Sequence, residues 1–431
     1  MNLPWQQVDP IDGRLFSEVR RAAIFECCKW DPQVEDVCTL SPLPVVLKPS
    51  AWRELVSLSE QLAREVITAE QEILQKAHLL KQLGLPWRLR RRRAAPEVAS
   101  GQGRHSRLIR FDFHFTTEGW RISEANTDVP GGFNEASGFT RLMARHYPQT
   151  LVSGDPVERM AQGVGQAIGK AGTVALVHAT AFTDDRQVMV YLARRLESAG
   201  HKTMLIAPDH FRWSNRKAVL ETEWAKGPVD FVYRFFPAEW LPALPRRSQW
   251  WHLLGGSETP LCNPGSSLIS QSKRFPLVWN ELPFRLPAWE ALLPRTWAVK
   301  EAAKRGLATE SLVFKPAFGR VGDMIKMHGL TPEKDLKKID RFIRRYPKMW
   351  VAQERFEAVP MVTPQGPVYP CIGMYALDAK VIGAYGRCSR QPLINHLAQD
   401  AAVLIEDTAD LSHPSENTEN EPLSTLQTVG A

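Results

Sequence analysis

An α+β fold is what the sequence predicts, and three observations predict it. Residues 17 to 80 carry apolar side chains at three- and four-residue spacing, as in "SAWRELVSLSEQLAREVITAEQEILQKAHLL", which is the period of amphipathic helices. Between Leu108 and Asn126 the runs "LIRFDFHF" and "WRISEAN" have strand composition and are separated by polar turn residues. Residues 173 to 207 then read strand, helix, strand: "TVALVHA", "DRQVMVYLARRLESAG" ending on Gly200, and "KTMLIAP". The last is the pattern of a parallel βαβ unit, and "PVDFVYRFF" (Pro228 to Phe236) adds a further buried strand.

The bulk properties are those of a globular protein. The chain has 431 residues, 44% hydrophobic and 23% charged, enough for two or three packed subdomains. A net charge of +7 suits an anionic small ligand as well as a nucleic acid and decides between neither. Six cysteines (27, 28, 38, 262, 371 and 388) form no CxxC pair and have no histidine at zinc-finger spacing. They point to a reducing, cytoplasmic setting rather than a disulfide framework or structural zinc. The N-terminal "MNLPWQQVDPIDGRLF" lacks the basic-then-apolar pattern of a signal peptide. No window approaches 18 uninterrupted apolar residues, so no membrane span is expected. The run Arg90 to Arg93 has no alternating aromatics beside it for base stacking, so a solvated loop is expected there and no nucleic-acid partner. From Asp407 the chain is polar, acidic and poor in aromatics, as disordered tails are.

The hairpin around residues 110 to 126 carries the chemistry. A three-residue loop, Thr117-Glu118-Gly119, would put glycine in the left-handed conformation that this loop class favours. That register sets Asp112 opposite Glu124 and Arg110 opposite Asn126, all four on one face, with Phe111, Phe113 and Phe115 on the other. Like charges placed directly across a strand pair repel, so something positive belongs between the carboxylates. Two readings stay open: a partly solvated ion-pair cluster built on Arg110, or a hard divalent cation such as Mg²⁺, which takes carboxylate and carbonyl oxygens together with substrate phosphates.

The hairpin, followed by a D-x-P turn, resembles the synthetase domain of the glutathionylspermidine synthase family, a circularly permuted ATP-grasp ligase with a pre-ATP-grasp subdomain. The resemblance implies Mg²⁺ and ATP as cofactors, with Asp112, Glu124 and Asn126 on the metal and Arg110 on the phosphoryl group in flight. It spans roughly residues 15 to 405, and the amidase domain fused to some members has no counterpart ahead of the hairpin. It also implies a mainly helical part over residues 1–105 and a catalytic core over 106–405. The βαβ subdomain would fall at about 170–240 and the disordered acidic tail at 406–431.

Four further segments fit the same family. In "SLVFKPAFGRVGD" a β-run delivers Lys315 to a loop with Gly319, Arg320 and Gly322, where glycine lets backbone amides approach phosphate oxygens. An ordinary strand with a surface lysine is the alternative from the residues alone. The resemblance makes it the loop that closes over ATP, although Val321 stands where the family usually carries Glu. "SLISQSKRFPLVW" resembles the family's Ser-x-Lys element, which implies Lys273 as a second nucleotide lysine. "MWVAQERFEAVP" is an apolar strand at which the resemblance sets Gln353 against adenine. "GAYGRCSRQPLIN" resembles a C-terminal Gly-x-x-Arg loop, giving Arg387 to the transferring phosphate, while Cys388 has no histidine partner and no role as a nucleophile.

The implied reaction joins a carboxylate to an amine through an acyl phosphate. Glutathione and spermidine are the default pair, but two departures weaken them. Gly131 and Gly132 replace the hydroxyl residues that grip a peptide carboxylate, and "FTDDRQVM" sets Arg186 after Asp184 and Asp185, where it would repel a polyamine. Another peptide or carboxylate, and another amine, fit nearly as well. A catalytically silent relative that binds nucleotide and a peptide partner is the alternative. The oligomeric state is not legible.

Overall fold

The computed structural model describes residues 2–34, 36–93, 105–169, 171–319 and 324–408. Its centre is a five-stranded antiparallel sheet with the strand order Gln399–Ala401, Lys380–Ser389, Tyr369–Leu377, Leu108–Thr116 and Gly119–Asn126. The two faces differ in kind. Ile109, Phe111 and Phe113 are fully buried on one face. There they meet the long helix Pro49–Gln75 and the short helix Pro287–Leu292, and Phe111 packs edge-on to Trp289 at 6.0 Å. The long helix is held by the expected spacing, since Leu55, Leu62, Ala63, Val66, Ala69 and Ile73 are all inaccessible to solvent. The opposite face carries the charged residues of the hairpin.

Two further layers stand over that polar face. One is a four-stranded antiparallel sheet ordered Thr296–Ala298, Trp350–Glu354, Leu312–Pro316 and Lys326–Met327. Its own small core is formed by Phe314, Trp350 and Ala352 with Ile339 and Ile343 of the helix Glu333–Arg345. The other is the parallel sheet expected from residues 173 to 207, ordered Leu261–Cys262, Phe231–Arg234, Thr173–Val177 and Lys202–Ile206, with helix Thr183–Ser198 as the crossover. The first strand in the chain, Thr173–Val177, has the second on one side and the third on the other. This reversal of strand order opens a crevice at the carboxyl ends of the strands, where open α/β sheets bind ligands. The chain termini close the unit: Val45–Leu47 pairs in parallel with Val403–Glu406, which also pairs with Thr150–Val152.

The parallel sheet is keyed to the hairpin by a buried ion pair. Arg234, at the end of its strand, donates to Asp128 at 2.6 Å, and Asp128 also accepts from the backbone of Ala238 at 2.9 Å. Neither side chain reaches solvent.

Several expectations are corrected. The arginine run is a helix, Trp87–Arg93, rather than a loop, and its guanidinium groups are not simply solvated. Arg92 stacks over Trp251 at 4.1 Å, Arg88 lies over Trp250 at 5.9 Å and donates to the carbonyl of Pro242, and Arg90 donates to that of Leu85 at 3.1 Å. Flat guanidinium groups stack well on indole rings, which is why a basic run can cover tryptophans. Glu406, assigned to the tail, ends a strand instead, and the remainder of the tail from residue 409 lies outside the described residues. Among the described residues no helix is long and apolar enough to cross a membrane.

Replacing Arg234 by Met leaves Asp128 as an uncompensated buried charge. The expected loss is about 3–5 kcal/mol of unfolding free energy, measured by urea denaturation. A change below about 1 kcal/mol would show that the pair does not hold the two layers together.

Candidate active site

The expected pairing of Asp112 with Glu124 and of Arg110 with Asn126 is present. It arises differently from the expectation, however. The turn is shorter by one residue, because Thr116 already pairs with Gly119, whose φ is +93°. The residue lost there is returned at Ser123, which bulges out of the ladder between the Phe113–Ile122 and Asp112–Glu124 pairs. The bulge has a use: the Ser123 carbonyl accepts a hydrogen bond from Lys315 Nζ at 3.0 Å.

Strand register then lays the polar groups out in rows. Asn126, Arg110 and Tyr375 form one row, and Glu124, Asp112, Gly373 and Tyr385 the next. Cys371, Arg387 and Asp400 form a third. Most of these groups line a single cavity of about 480 Å³, together with Lys315, Gln353 and Gly319.

Each carboxylate has its own cation. Arg110 grips Asp112 bidentately, Nε to Oδ1 at 2.7 Å and Nη2 to Oδ2 at 3.0 Å, and its Nη1 donates to the Gly131 carbonyl at 2.9 Å. Asn126 Nδ2 donates to the same Asp112 Oδ2 at 3.0 Å, which turns its amide oxygen away from that carboxylate. Glu124 Oε2 is 3.0 Å from Lys273 Nζ, which also donates to the Gly319 carbonyl at 3.3 Å. Lys315 Nζ donates to Gln353 Oε1 at 2.7 Å, and Gln353 Nε2 in turn donates to Thr296 Oγ1 at 2.9 Å.

The charges tune one another. Burial disfavours ionised Glu124, but Lys273 and Lys315 outweigh it and hold the carboxyl down at about 2. Burial, helped by the Lys273 charge and opposed by Glu124, lowers Lys315 to about 8. Burial and the Lys315 charge push His114 down to about 4, so it is neutral at pH 7.

The site residues read from the sequence fall as follows. Arg110, Asp112, Glu124, Asn126, Lys315, Gly319, Gln353 and Arg387 all line the cavity, and Lys273 reaches it through Glu124. Lys273 and Lys315 are buried rather than surface lysines, at 10% and 8% exposure. Arg320 and Gly322 lie outside the described residues. Arg387 sits within the strand Lys380–Ser389 rather than on a loop, and its Nη2 donates to the Asn395 carbonyl at 2.7 Å. Burial pushes Cys388 up to about 12, which keeps it a thiol. No group of three His, Cys, Asp or Glu among the described residues could hold a metal ion, so a cation here would need the Asn126 amide oxygen beside the Asp112 and Glu124 carboxylates. That all-oxygen set suits Mg²⁺.

Sequence reading missed Gly373. A Cβ there would come within 2.7 Å of Arg110 Cδ and 3.1 Å of Asp112 Oδ1, so the ion pair lies directly over bare backbone. An isolated glycine inside the apolar run "CIGMYAL" was the available signal. Also missed were Lys29, Glu135 and Asp400, a buried cluster on the cavity wall.

The comparisons with known proteins come to bear on this geometry. The family model described as glutathionylspermidine synthase pre-ATP-grasp matches residues 45–406. The chain belongs to the glutathionylspermidine synthase family. Among solved structures it is similar to a glutathione synthetase-like effector from Globodera pallida, with 15% identity, a TM-score of 0.61, and 92% of this chain and 99% of that one covered. A putative γ-glutamylcysteine synthetase from Methylobacillus flagellatus is less alike: 13% identity, TM-score 0.40, 79% and 88% covered. So is a D-alanyl-alanine synthetase A from Vibrio cholerae, at 10% identity, TM-score 0.32, and 55% and 89% covered. None of the curated proteins matches the sequence. Family and fold agree on an α+β architecture of ATP-grasp type with a pre-ATP-grasp domain.

In this member of the glutathionylspermidine synthase family, the wall opposite the hairpin is acidic. The carboxyl ends of the parallel strands contribute Asp184, Asp185 and Gln187 to the cavity, with Asp31 and Glu239 beside them. Arg186 is exposed and is not part of the lining, which corrects the expectation that it would repel a polyamine there. Helical periodicity explains this, since neighbours on a helix point about 100° apart. Burial, with Asp31 as an added like charge, raises the Asp184 pKa. Gly131 and Gly132 bring the Gly131 carbonyl to both Arg110 and the Tyr375 hydroxyl. Gly132 has φ +92°, and a Cβ there would meet the Tyr375 hydroxyl at 3.0 Å.

Because Glu124 has a folded-state pKa near 2 against an ordinary 4.5, its contribution to stability is full above pH 4.5 and is lost as pH falls toward 2. Between pH 6 and pH 3.5 the group should cost roughly 1 kcal/mol. Urea melts at the two pH values should show this loss in the wild type and a correspondingly flatter dependence in Glu124→Gln.

Proposed function

We propose that the protein is an ATP- and Mg²⁺-dependent ligase that forms an amide between a small carboxylate and an amine, in the manner of glutathionylspermidine synthase. The observation that carries this reading is the pair Asp112 and Glu124, facing each other on a cavity floor with separate cations and the Asn126 amide hydrogen-bonded to Asp112. A cluster kept only for stability gains little from burying so many charges, because desolvation offsets most of the attraction.

The chemistry needs charge neutralisation more than covalent help. The γ-phosphoryl group moves to a carboxylate oxygen of the substrate as the bond to ADP breaks. The amine lone pair then attacks the acyl carbon, the carbon–oxygen bond to phosphate breaks, and the ammonium proton is lost. Bound Mg²⁺ would neutralise phosphate charge, held by Asp112, Glu124 and Asn126. Lys273 and Lys315 bind nucleotide phosphates as fixed positive charges, Gly319 offers backbone beside Lys273, and Gly322 is the second glycine proposed for the nucleotide. Arg110, Arg320 and Arg387 stabilise the charge on the group in transfer. Gln353 orients Lys315, to which its amide oxygen is bonded while its nitrogen donates to Thr296, and a second N–H and lone pair are left for adenine. The carboxylate substrate lies toward Gly131 and Gly132, and the amine toward the acidic wall of Asp184 and Asp185. Glutathione or another peptide, and a polyamine or another amine, are the substrates to test first.

Phosphate release from ATP should require Mg²⁺ and both substrates, and Asp112→Asn should lower kcat at least about 100-fold. Asp184→Asn should instead raise KM for the amine with little change in KM for ATP. Full phosphate release by Asp112→Asn, or none by wild type with any carboxylate and amine despite tight Mg-ATP binding, would count against a ligase.

A further inference from the structure

One cluster on the cavity wall has no part in the proposed chemistry. Lys29, on the segment after helix Gly13–Glu26, is almost fully buried. Its Nζ lies 2.6 Å from Glu135 Oε1, 3.0 Å from Asp400 Oδ2 and 3.1 Å from Asp31 Oδ1. Three carboxylates thus converge on a single ammonium. All four residues line the cavity. Asp400 also accepts from the Tyr385 hydroxyl at 2.6 Å, and Asp31 from Gln187 Nε2 at 2.7 Å. Glu135 belongs to a π-helical turn, Asn134–Phe139, a rare element that is often found at functional sites. Its second oxygen, Oε2, is buried with no hydrogen-bond partner.

For a purely structural salt bridge this is a poor arrangement. One counter-ion would suffice for Lys29; the second buried carboxylate adds repulsion and desolvation cost, and half-buried Asp31 adds further repulsion. Arg387, 3.9 Å from Asp400, offsets part of that excess. An oxygen nest of this form is what recognition of a primary ammonium requires: three acceptors around one nitrogen with three protons. Its place is the inner end of the same acidic wall that holds Asp184 and Asp185.

We infer that Asp31, Glu135 and Asp400 form a primary-ammonium subsite of the cavity that is filled by the protein's own Lys29, which acts as a specificity-determining residue. This rests on the proposed ligase reading for its meaning, since Lys29 then excludes a second terminal ammonium and limits the acceptor to amines with a single cationic group engaged by Asp184 and Asp185. Among the amines proposed above, polyamines, which carry ammonium groups at both ends, are then weaker acceptors than monoamines. The charge states agree with this: the three carboxylates overcome burial and hold Lys29 protonated, while Glu135 is raised by burial.

The test is chemical rescue and does not depend on ligase activity. Lys29→Ala removes the plug and leaves three carboxylates facing a void with room for a short alkylammonium. Thermal melting is followed with propylammonium chloride, with tetramethylammonium chloride and with sodium chloride at equal ionic strength. Propylammonium should raise the Tm of Lys29→Ala saturably, by about 2 °C at tenfold excess over its Kd. Its effect on wild type should be clearly smaller, since there only the wall of Asp184 and Asp185 is open to it, and tetramethylammonium, which has no N–H donor, should not give the added shift in Lys29→Ala. Spermidine should bind Lys29→Ala at least about 10-fold more tightly than wild type by calorimetry, and adding Asp400→Asn should abolish the gain. If Lys29→Ala is recovered unfolded, its refolding yield in propylammonium against sodium chloride reads the same property. Equal shifts with all three salts, equal shifts in wild type, or a refolding yield indifferent to propylammonium would overturn the inference. Rescue without ligase activity would leave the ammonium subsite standing and remove only the ligase reading.

Discussion

Two carboxylates set directly across a pair of strands are the constraint on which the rest of the site depends. At cross-strand distance their repulsion would favour protonating one of them. The chain avoids this by assigning each a cation from a different direction. Arg110 comes from two residues back on the same strand, and Lys273 from the segment that follows helix Leu268–Gln271. Several other features of the site fix Arg110 and a third cation, Lys315, whose charge also acts on Glu124. Gly373 gives Arg110 bare backbone to lie across, the Gly131 carbonyl takes its remaining side, the bulge at Ser123 offers a carbonyl to Lys315, and Gln353 takes the other side of that lysine. The layers are therefore joined at the cavity by polar side chains, with the apolar cores lying behind them.

Much of this was legible in the sequence, and the hairpin shows both how far and why. The pairing at Asp112 and Glu124 was read correctly from a turn that proved one residue too long, because the Ser123 bulge compensates. The clue was present. In "GWRISEAN" the buried residues are Trp120 and Ile122 but then Ala125, so the apolar parity switches between them. A strand without a bulge would have turned Trp120 and Ile122 onto the charged face. Parity switches of this kind are what a bulge produces, and they constrain register more tightly than loop class does.

What stayed hidden was hidden by distance. Lys29 meets Glu135 and Asp400 only because the chain returns to it 106 and 371 residues later. No local pattern marks a lone lysine after a helix. The arginine run failed for a related reason: Arg92 stacks on Trp251, far along the chain, and a run read without that partner looks like solvated charge, although Trp87 under Arg91 was close at hand. Arg186 failed differently. Its effect was read from adjacency in sequence, whereas on helix Thr183–Ser198 it faces away from Asp184, Asp185 and Gln187.

The cavity is electrostatically divided: toward the hairpin Arg110, Lys315 and Arg387 stand among Asp112, Glu124 and Asp400, whereas toward the parallel sheet Asp31, Asp184, Asp185 and Glu239 are all acidic. The cations of the mixed end suit phosphate and carboxylate oxygens. An acidic end attracts an amine but also holds it as an ammonium, which has no lone pair with which to attack. Productive geometry on the proposed chemistry therefore requires that the nucleophilic nitrogen leave the strongest negative field before it reacts. Lys29, by partly neutralising the three carboxylates around it, weakens the field on its side of the wall and so favours the uncharged amine there. The same residue would then both exclude a second ammonium and ease the loss of a proton from the first, two effects of one buried positive charge.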